Sequence, residues 1–269
     1  MTDQKVAVVT GVSSGIGAET VRELARAGYR VFGTVRSPTG AVPPGVERVT
    51  LDIRDQSSID AAVAAILSRA GRIDVLVNNA GGSIVGAIEE TDTEQAQALF
   101  DVNFFGSVRM TKAVMPTMRA RRSGRILFVS SVVGFIPAPF MGFYAASKHA
   151  LEGYSESLDH EVRPLGIRAI LIQPSFIKTK IGQNSVQAAR RIEDYSAART
   201  RAESGINAAI EHADEPIQVA RTIVKALRAP RPHLRYQAGK GAGTLATLRS
   251  LMPESLFDRS LRKEFKLDA

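Results

Sequence analysis

"KVAVVTGVSSGIG", Lys5 to Gly17, sets a β-branched run directly before three closely spaced glycines, and a helical pattern then runs from about Gly15 to Ala27. The run reads as a buried strand and the pattern after it as the helix it feeds. At such a turn Gly11, Gly15 and Gly17 let the backbone bend sharply and approach a diphosphate, for which the helix N-terminus offers unpaired N–H groups and the positive end of its dipole. A glycine-rich turn that binds nothing has the same local pattern. Its place directly after the first strand favours the dinucleotide reading.

Outward from this turn the alternation continues. "YRVFGTV", "VERVTLD", "IDVLVNN", "RILFVSS" and "IRAILIQ" read as strands, separated by helical patterns after Asp55, near residues 93 to 120, and around Lys148. Strands apolar on both faces and alternating with helices specify a parallel sheet covered on both sides. The expected fold is therefore α/β: a Rossmann-type doubly wound parallel sheet of about seven strands with helices on both faces. The Pro/Gly-rich stretch near 38–45 reads as a loop, so residues 1–269 are expected to form a single domain. Residues 178–215 are polar and helix-prone without a clean apolar face, as a substrate flap would be, and 244–269 reads as a basic, amphipathic helical tail.

Composition narrows the chemistry. The chain of 269 residues has no cysteine, which excludes disulfides, thiolate metal sites and thiol nucleophiles. His149, His160, His212 and His233 lack the paired spacing of a metal site, so none is expected. The N-terminus lacks the build of a signal peptide and no apolar run reaches the length of a membrane span, so a cytoplasmic protein is expected. Of the formal charge of +8, residues 216 to 269 carry +7, from 11 Lys and Arg against 4 Asp and Glu. Without interleaved aromatics or a known module this basic end does not suggest nucleic acid. It fits a subunit contact or a loose membrane-surface contact.

Polar groups gather where the strands end. In "TVRS" the second strand ends on Arg36, where a site preferring NAD presents an acid to the ribose 2′-hydroxyl; a guanidinium there attracts the 2′-phosphate of NADP, and Ser37 adds a hydroxyl. "LVNNAGG" ends the fourth with Asn78, Asn79, Ala80 and Gly81, whose amides either tie strands together or border a cofactor. Asn103 stands among Phe100, Val102, Phe104 and Phe105, where it either caps a kink or holds a water. Ser130 and Ser131 end the fifth strand with no histidine placed to make either a nucleophile. In "FYAASKHALEGYSESL" Tyr144 and Lys148 lie four apart, so on a helix both tips share a face. A tyrosine at a helix start above a solvated lysine would look the same. As a working pair, the ammonium would favour the phenolate.

T-G-x-x-x-G-x-G at Thr10–Gly17, N-N-A-G at Asn78–Gly81, the lone Asn103, Ser131 and Y-x-x-x-K at Tyr144 and Lys148 together resemble the classical short-chain dehydrogenases/reductases, over residues 5 to about 180. The longer tail and the Arg235–Tyr236 pair resemble the hydroxysteroid- and retinol-dehydrogenase-like group. The resemblance implies Tyr144 as acid/base, Lys148 as the residue that holds the nicotinamide ribose and lowers the phenol pKa, Ser131 as the partner of the substrate oxygen, and Asn103 as the holder of a water leading from Lys148 to solvent. It implies Gly11, Ser13, Ser14, Gly15, Ile16 and Gly17 along the cofactor diphosphate, and Arg36 and Ser37 at the 2′-phosphate of NADP(H). Asp52 falls at the adenine, Asn79, Ala80 and Gly81 beside the cofactor, and Pro174, Ile177 and Thr179 at the carboxamide, with Ser175 replacing the family's glycine. It also implies a homodimer or homotetramer joined through the long helices.

The chemistry implied is hydride transfer between a nicotinamide and a carbonyl or alcohol carbon, with Tyr144 supplying or taking the proton. Lowering a phenol pKa from 10 to 7 takes roughly 4 kcal/mol of preferential phenolate stabilisation, which the ammonium and a positive nicotinamide would share. Val132, Val133, Phe135, Ile136, Pro137, Phe140, Phe143 and Phe176 suggest either an apolar wall for a bulky alcohol or ketone or simple core packing. The rival reading is a regulatory protein that binds NADP without turnover.

Overall fold

Alternate residues of β1 (Val6–Thr10) face opposite sides: Val6 and Val8 enter one buried cluster, Ala7 and Val9 another. That two-residue period on an apolar run buries both faces of a strand and forces helices onto each. In the computed structural model, which describes residues 4–179, 181, 185–265 and 267, this holds for the central strands of the sheet. β2 (Arg30–Val35), β3 (Glu47–Thr50), β4 (Val75–Asn78), β6 (Gly124–Val129), β7 (Ile167–Pro174) and β9 (Arg235–Ala238) join β1 in a seven-stranded parallel sheet of order β3-β2-β1-β4-β6-β7-β9. Order reverses at β1, between β2 and β4, so the carboxyl ends of these strands open a crevice there.

On one face lie α2 (Gln56–Ala70), α4 (Gly106–Ala120) and α5 (Gly142–Val162), which bury Ile59, Met110, Val114 and Leu151 against Phe32 and Phe128. On the other, α1 (Gly15–Arg26) and α7 (Pro216–Arg228) bury Val21, Leu24, Val219 and Ile223 against Val31 and Ile172. Each such aliphatic side chain contributes about 1.5–3 kcal/mol on burial. Local signals set the helix bounds. Asp55 accepts Ser57 N–H at 2.9 Å to start α2, and Gly71, at φ +70°, ends it with its N–H on Leu67 O.

Three elements differ from the sequence expectation. The single helix expected over 93–120 is α3 (Thr93–Phe100), a π-helical turn (Asp101–Phe105) and α4 in succession. β9, "RYQA", carries no alternating apolar pattern and is an edge strand, placed by pairing with β7 rather than by its own burial. The 244–269 stretch, expected to be basic, holds 5 Lys and Arg against 4 Asp and Glu and begins inside α8 (Ala242–Leu251), followed by α9 (Glu254–Glu264). More of the positive charge of 216–269 precedes it, on Arg221, Lys225 and Arg228 of α7 and on Arg231, Arg235 and Lys240.

The expected flap spans two pieces. β5 (Ile84–Val85) pairs in parallel with β8 (Val186–Gln187), and α6 (Ser196–Glu211) follows. Residues 180 and 182–184 of the flap, and 266, 268 and 269 of the tail, lie outside the described residues. Among the described residues no helix is long and apolar enough to cross a membrane.

Candidate active site

The β1–α1 turn and the end of β4 are tied by their own polar groups. Thr10 Oγ1 accepts the N–H groups of Asn79 and Ala80, both at 3.0 Å, while Asn79 Nδ2 donates to Thr10 O at 2.9 Å and Gly11 O at 3.0 Å. That crossing leaves no room for side chains. A Cβ on Gly17 would stand 2.2 Å from Gly11 O, and one on Gly11, whose φ is +70°, 2.9 Å from Ala80 Cα. Two of the three glycines are therefore required by chain meeting chain, a stricter need than approach to a ligand.

Exposed Ser13 and Ser14 and half-buried Gly15 and Ile16 form the outer side of the turn. An open cleft of about 630 Å³ lies on it, lined by Ser13, Ser14, Gly15, Lys178 and Thr179 among others. Thr179 Cγ2 would be 3.2 Å from a Cβ on Gly15, so the segment after β7 closes over the turn. A helix N-terminus beneath two hydroxyls and a glycine, open to a cleft of this size, fits a nucleotide diphosphate. A second cavity, about 530 Å³ between α1 and α7, shares none of the motif residues.

Arg36 and Ser37 emerge exposed at the carboxyl end of β2, with Ser37 Oγ 2.9 Å from Thr39 Oγ1. Asp52 follows β3 and takes two bonds from the Arg54 guanidinium, at 3.0 and 2.6 Å. Arg54, with a weaker pull from Arg36, holds its carboxyl down to about 2. Gly81 sits against Asn103, whose Oδ1 would be 3.1 Å from a Cβ there.

Asn103 lies buried inside the π turn, and the kink alternative is the one its contacts satisfy. Its Oδ1 accepts Gly82 N–H at 2.8 Å, and its Nδ2 donates to Gly82 O and to Ser147 Oγ, both at 3.0 Å. The widened turn aims this amide at the end of β4 and at α5 together. Ser147 Oγ in turn donates to Tyr144 O at 2.7 Å, which couples the kink to the tyrosine's main chain.

Ser131 leaves β6 with its hydroxyl donating to Pro174 O at 3.4 Å and accepting Val133 N–H at 3.3 Å. Tyr144 and Lys148 lie one turn apart on α5. The lysine is 5 % exposed; its Nζ donates to Val129 O at 2.9 Å and lies 5.7 Å from the tyrosine ring centroid. After β7 ends at Pro174, Ile177 is buried and bridges Asp214, and Thr179 lines the cleft at the β1–α1 turn.

The electrostatics depart from the sequence expectation. Burial pushes the Tyr144 phenol up to about 12, against the pull of Ser131, and pushes the Lys148 ammonium down to about 8, against the pull of Glu152. Desolvation disfavours whichever form is charged, so it opposes the phenolate and the ammonium alike. The ammonium is aimed at a carbonyl oxygen and stands over the ring, where it exerts little on the phenol oxygen. The chain alone thus holds the phenol protonated.

A sequence profile described as short chain dehydrogenase matches residues 5–190. The chain belongs to that family. It is 36% identical over 261 residues to a 3-ketodihydrosphingosine reductase of Bacteroides thetaiotaomicron, covering 96% of this chain and 97% of the relative. It is 35% identical over 271 residues to the 17-beta-hydroxysteroid dehydrogenase type 1 of Mus musculus, covering 93% of this chain and 78% of the relative. The crystal structure of a short-chain dehydrogenase from Streptomyces avermitilis superposes with a TM-score of 0.83 at 33% identity, over 99% of this chain and 98% of the other. The protein is an oxidoreductase of the short-chain dehydrogenase family, in its hydroxysteroid- and retinol-dehydrogenase-like group.

Sequence reasoning passed over Ser147, whose only signal was its place between Tyr144 and Lys148. It also missed the buried pair of Glu90 and Arg199, which joins α6 to the 3₁₀ turn Ile88–Glu90; Glu90 also accepts the N–H groups of Ala87 and Ile192, at 2.9 and 2.7 Å. Residues 109 apart meet there, and no local pattern announces such a contact. Of the two readings of the apolar residues, core packing holds for Val132 and Ile136, which form a small core with Ala242 and Phe257 against which Val133 and Phe135 also pack. Phe140, Phe143 and Phe176 keep exposed surface, and Phe140 holds a left-handed φ of +61°.

Proposed function

We propose that the protein is an NADP(H)-dependent carbonyl reductase acting on a bulky, apolar ketone or aldehyde. The observation that supports it most is the meeting of Ser131, a protonated Tyr144 and a buried Lys148 at the carboxyl ends of β6 and β7. When bound, the nicotinamide supplies the hydride. The chain's own residues do the rest. Ser131 holds the carbonyl oxygen with its hydroxyl, and Tyr144 gives its proton to that oxygen as negative charge builds on it. A phenol held protonated is the form that reduction consumes.

Lys148 would hold the nicotinamide ribose, and the positive charge of a bound oxidised ring would be what eases the phenol's proton loss. Asn103 and Ser147 fix the pitch of α5, and Asn103's amide hydrogens are both committed, so a water leading to solvent bonds its main chain. Ser13, Ser14 and the glycines take the diphosphate and Asp52 borders the adenine. Arg36 and Ser37 take the 2′-phosphate, the basis of the preference for NADP(H). Phe140, Phe143 and Phe176 give the substrate its apolar surface, in keeping with the sphingoid and steroid relatives. The described parts of the flap, β8 and α6, border this region as part of the same single domain.

An NADPH-consumption screen over ketones and aldehydes of graded size and polarity tests the reading. Turnover that rises with apolar bulk is expected. NADPH binding with no turnover on any carbonyl, in a protein that retains Tyr144, Lys148 and Ser131, would favour the regulatory alternative.

A further inference from the structure

Glu152 is a buried carboxylate with no part in the chemistry above. It stands one turn beyond Lys148 on the same face of α5, 6 % exposed. Taking a carboxylate out of water costs several kcal/mol unless partners repay it. Here Oε1 accepts Gln173 Nε2 at 3.0 Å from β7, and Oε2 accepts Arg235 Nε at 3.0 Å from β9. Arg235 also donates to Glu156 Oε2 at 2.7 Å, and Gln237 Nε2 fixes Gln173 by a 2.9 Å bond to its Oε1. α5, β7 and β9 thus meet around this one carboxylate.

Among the described residues the surroundings of Lys148 supply no other counter-charge. Its neighbours on β6 and after β4 are the Val129 carbonyl and the Gly81–Asn103 contact, and its neighbour on α5 toward the N-terminus is the Tyr144 ring. Around Glu152 the charged groups are Lys148 and Glu156 on α5 and Arg235 on β9, while β7 and the turn after Ser131 present only Gln173 and Gly134; His160 stands beyond, beside Glu156. An opposite charge four residues along a helix favours the ammonium, and more strongly when both are dry.

We infer that Glu152 is a positioning residue that keeps the Lys148 ammonium charged at neutral pH, and that Arg235, reaching in from β9, sets how much of that charge Lys148 feels. The inference rests on the role proposed for Lys148. It gives the edge strand β9 a task, because partly exposed Arg235 is held between Glu152 and Glu156. Burial pushes Lys148 down to about 8 even with Glu152 pulling upward, so without that carboxylate much of the lysine would be neutral at pH 7.

The test uses the full chain without cofactor, labelled with [13Cε]lysine and titrated by NMR, the Lys148 signal being the one lost in Lys148→Arg. Glu152→Gln keeps the shape and the amide contacts but removes the charge. It should lower the Lys148 midpoint by about one pH unit or more, a tenfold loss of proton affinity. Arg235→Gln breaks the same hydrogen-bond cluster while leaving the carboxylate, and should raise the midpoint. The alkaline limb of NADPH-linked turnover should follow in the same two directions. An unchanged midpoint in Glu152→Gln, or a fall in both variants, would overturn the assignment. Should Glu152→Gln not fold, Arg235→Gln decides alone: a rise supports the inference, and a fall or no change refutes it. Because the titration needs neither cofactor nor substrate, its failure is separate from failure of the reductase reading.

Discussion

Lys148→Met should make the cofactor-free protein more stable while spoiling its function. The native ammonium is 5 % exposed, and burial moves it from 10.5 to about 8. Displacing a pKa by that amount costs the fold about 3 kcal/mol at pH 7. Methionine fills a similar volume without the charge, but it strands Val129 O, which now accepts Nζ at 2.9 Å. That lost bond returns about 1–2 kcal/mol. The net gain is about 1–2 kcal/mol, or about 2–4 °C in Tm for a chain of this length.

The pH dependence fixes the cause. The folded lysine loses its proton near 8 and the unfolded one near 10.5. The penalty is therefore complete below pH 8, fades as pH rises between the two values, and is gone above them, where only the lost hydrogen bond remains. Thermal melts by circular dichroism at pH 7 and pH 10, without cofactor, measure both ends. The variant should melt higher at pH 7 and no higher at pH 10, with NADPH affinity reduced throughout. A lower Tm at pH 7, or the same offset at both, would refute the burial argument.

Arg36→Asp should shrink or reverse a preference for NADPH over NADH that a charge-assisted contact sets at roughly ten- to hundredfold; equal affinity for the two in the unmutated protein would remove Arg36 from the site. Ser131→Ala should lower kcat by about a hundred- to thousandfold, as loss of one oxyanion donor does, with NADPH affinity unchanged in a fluorescence titration. Gly17→Ala forces a Cβ to within 2.2 Å of Gly11 O and should lower both Tm and NADPH affinity, whereas Gly153→Ala, with nothing within 4 Å, should raise Tm slightly.

Much of this architecture was legible because the governing signals are local. Lys5–Gly17 already contains the strand, the turn and the helix start, and the two-sided burial of β1 and β7 follows from runs such as "VAVVT" and "IRAILIQP". The motif residues were legible for the same reason, since each closes a strand or opens a helix. What escaped depends on distance in sequence. β9 is polar and takes its place from β7. Glu90 and Arg199 have no meaning until α6 folds back. Asn103 announced a kink in the long helix, but the form of that kink, a π turn whose amide is bonded to Gly82 and Ser147, appears only in the fold. The phenol's pKa was read from its lysine neighbour, while burial, which sequence shows poorly, proved the stronger influence.

The central claim is that the Tyr144 phenol delivers the proton. It is tested most directly by the turnover of Tyr144→Phe on the best ketone from the NADPH screen, with folding and NADPH affinity measured alongside. The phenyl ring keeps the packing beside Lys148 and removes only the donor, so turnover should collapse by at least the factor of about 100–10,000 that a positioned acid contributes, while NADPH still binds. Reduction at close to the unmutated rate, with binding and fold intact, would contradict the account.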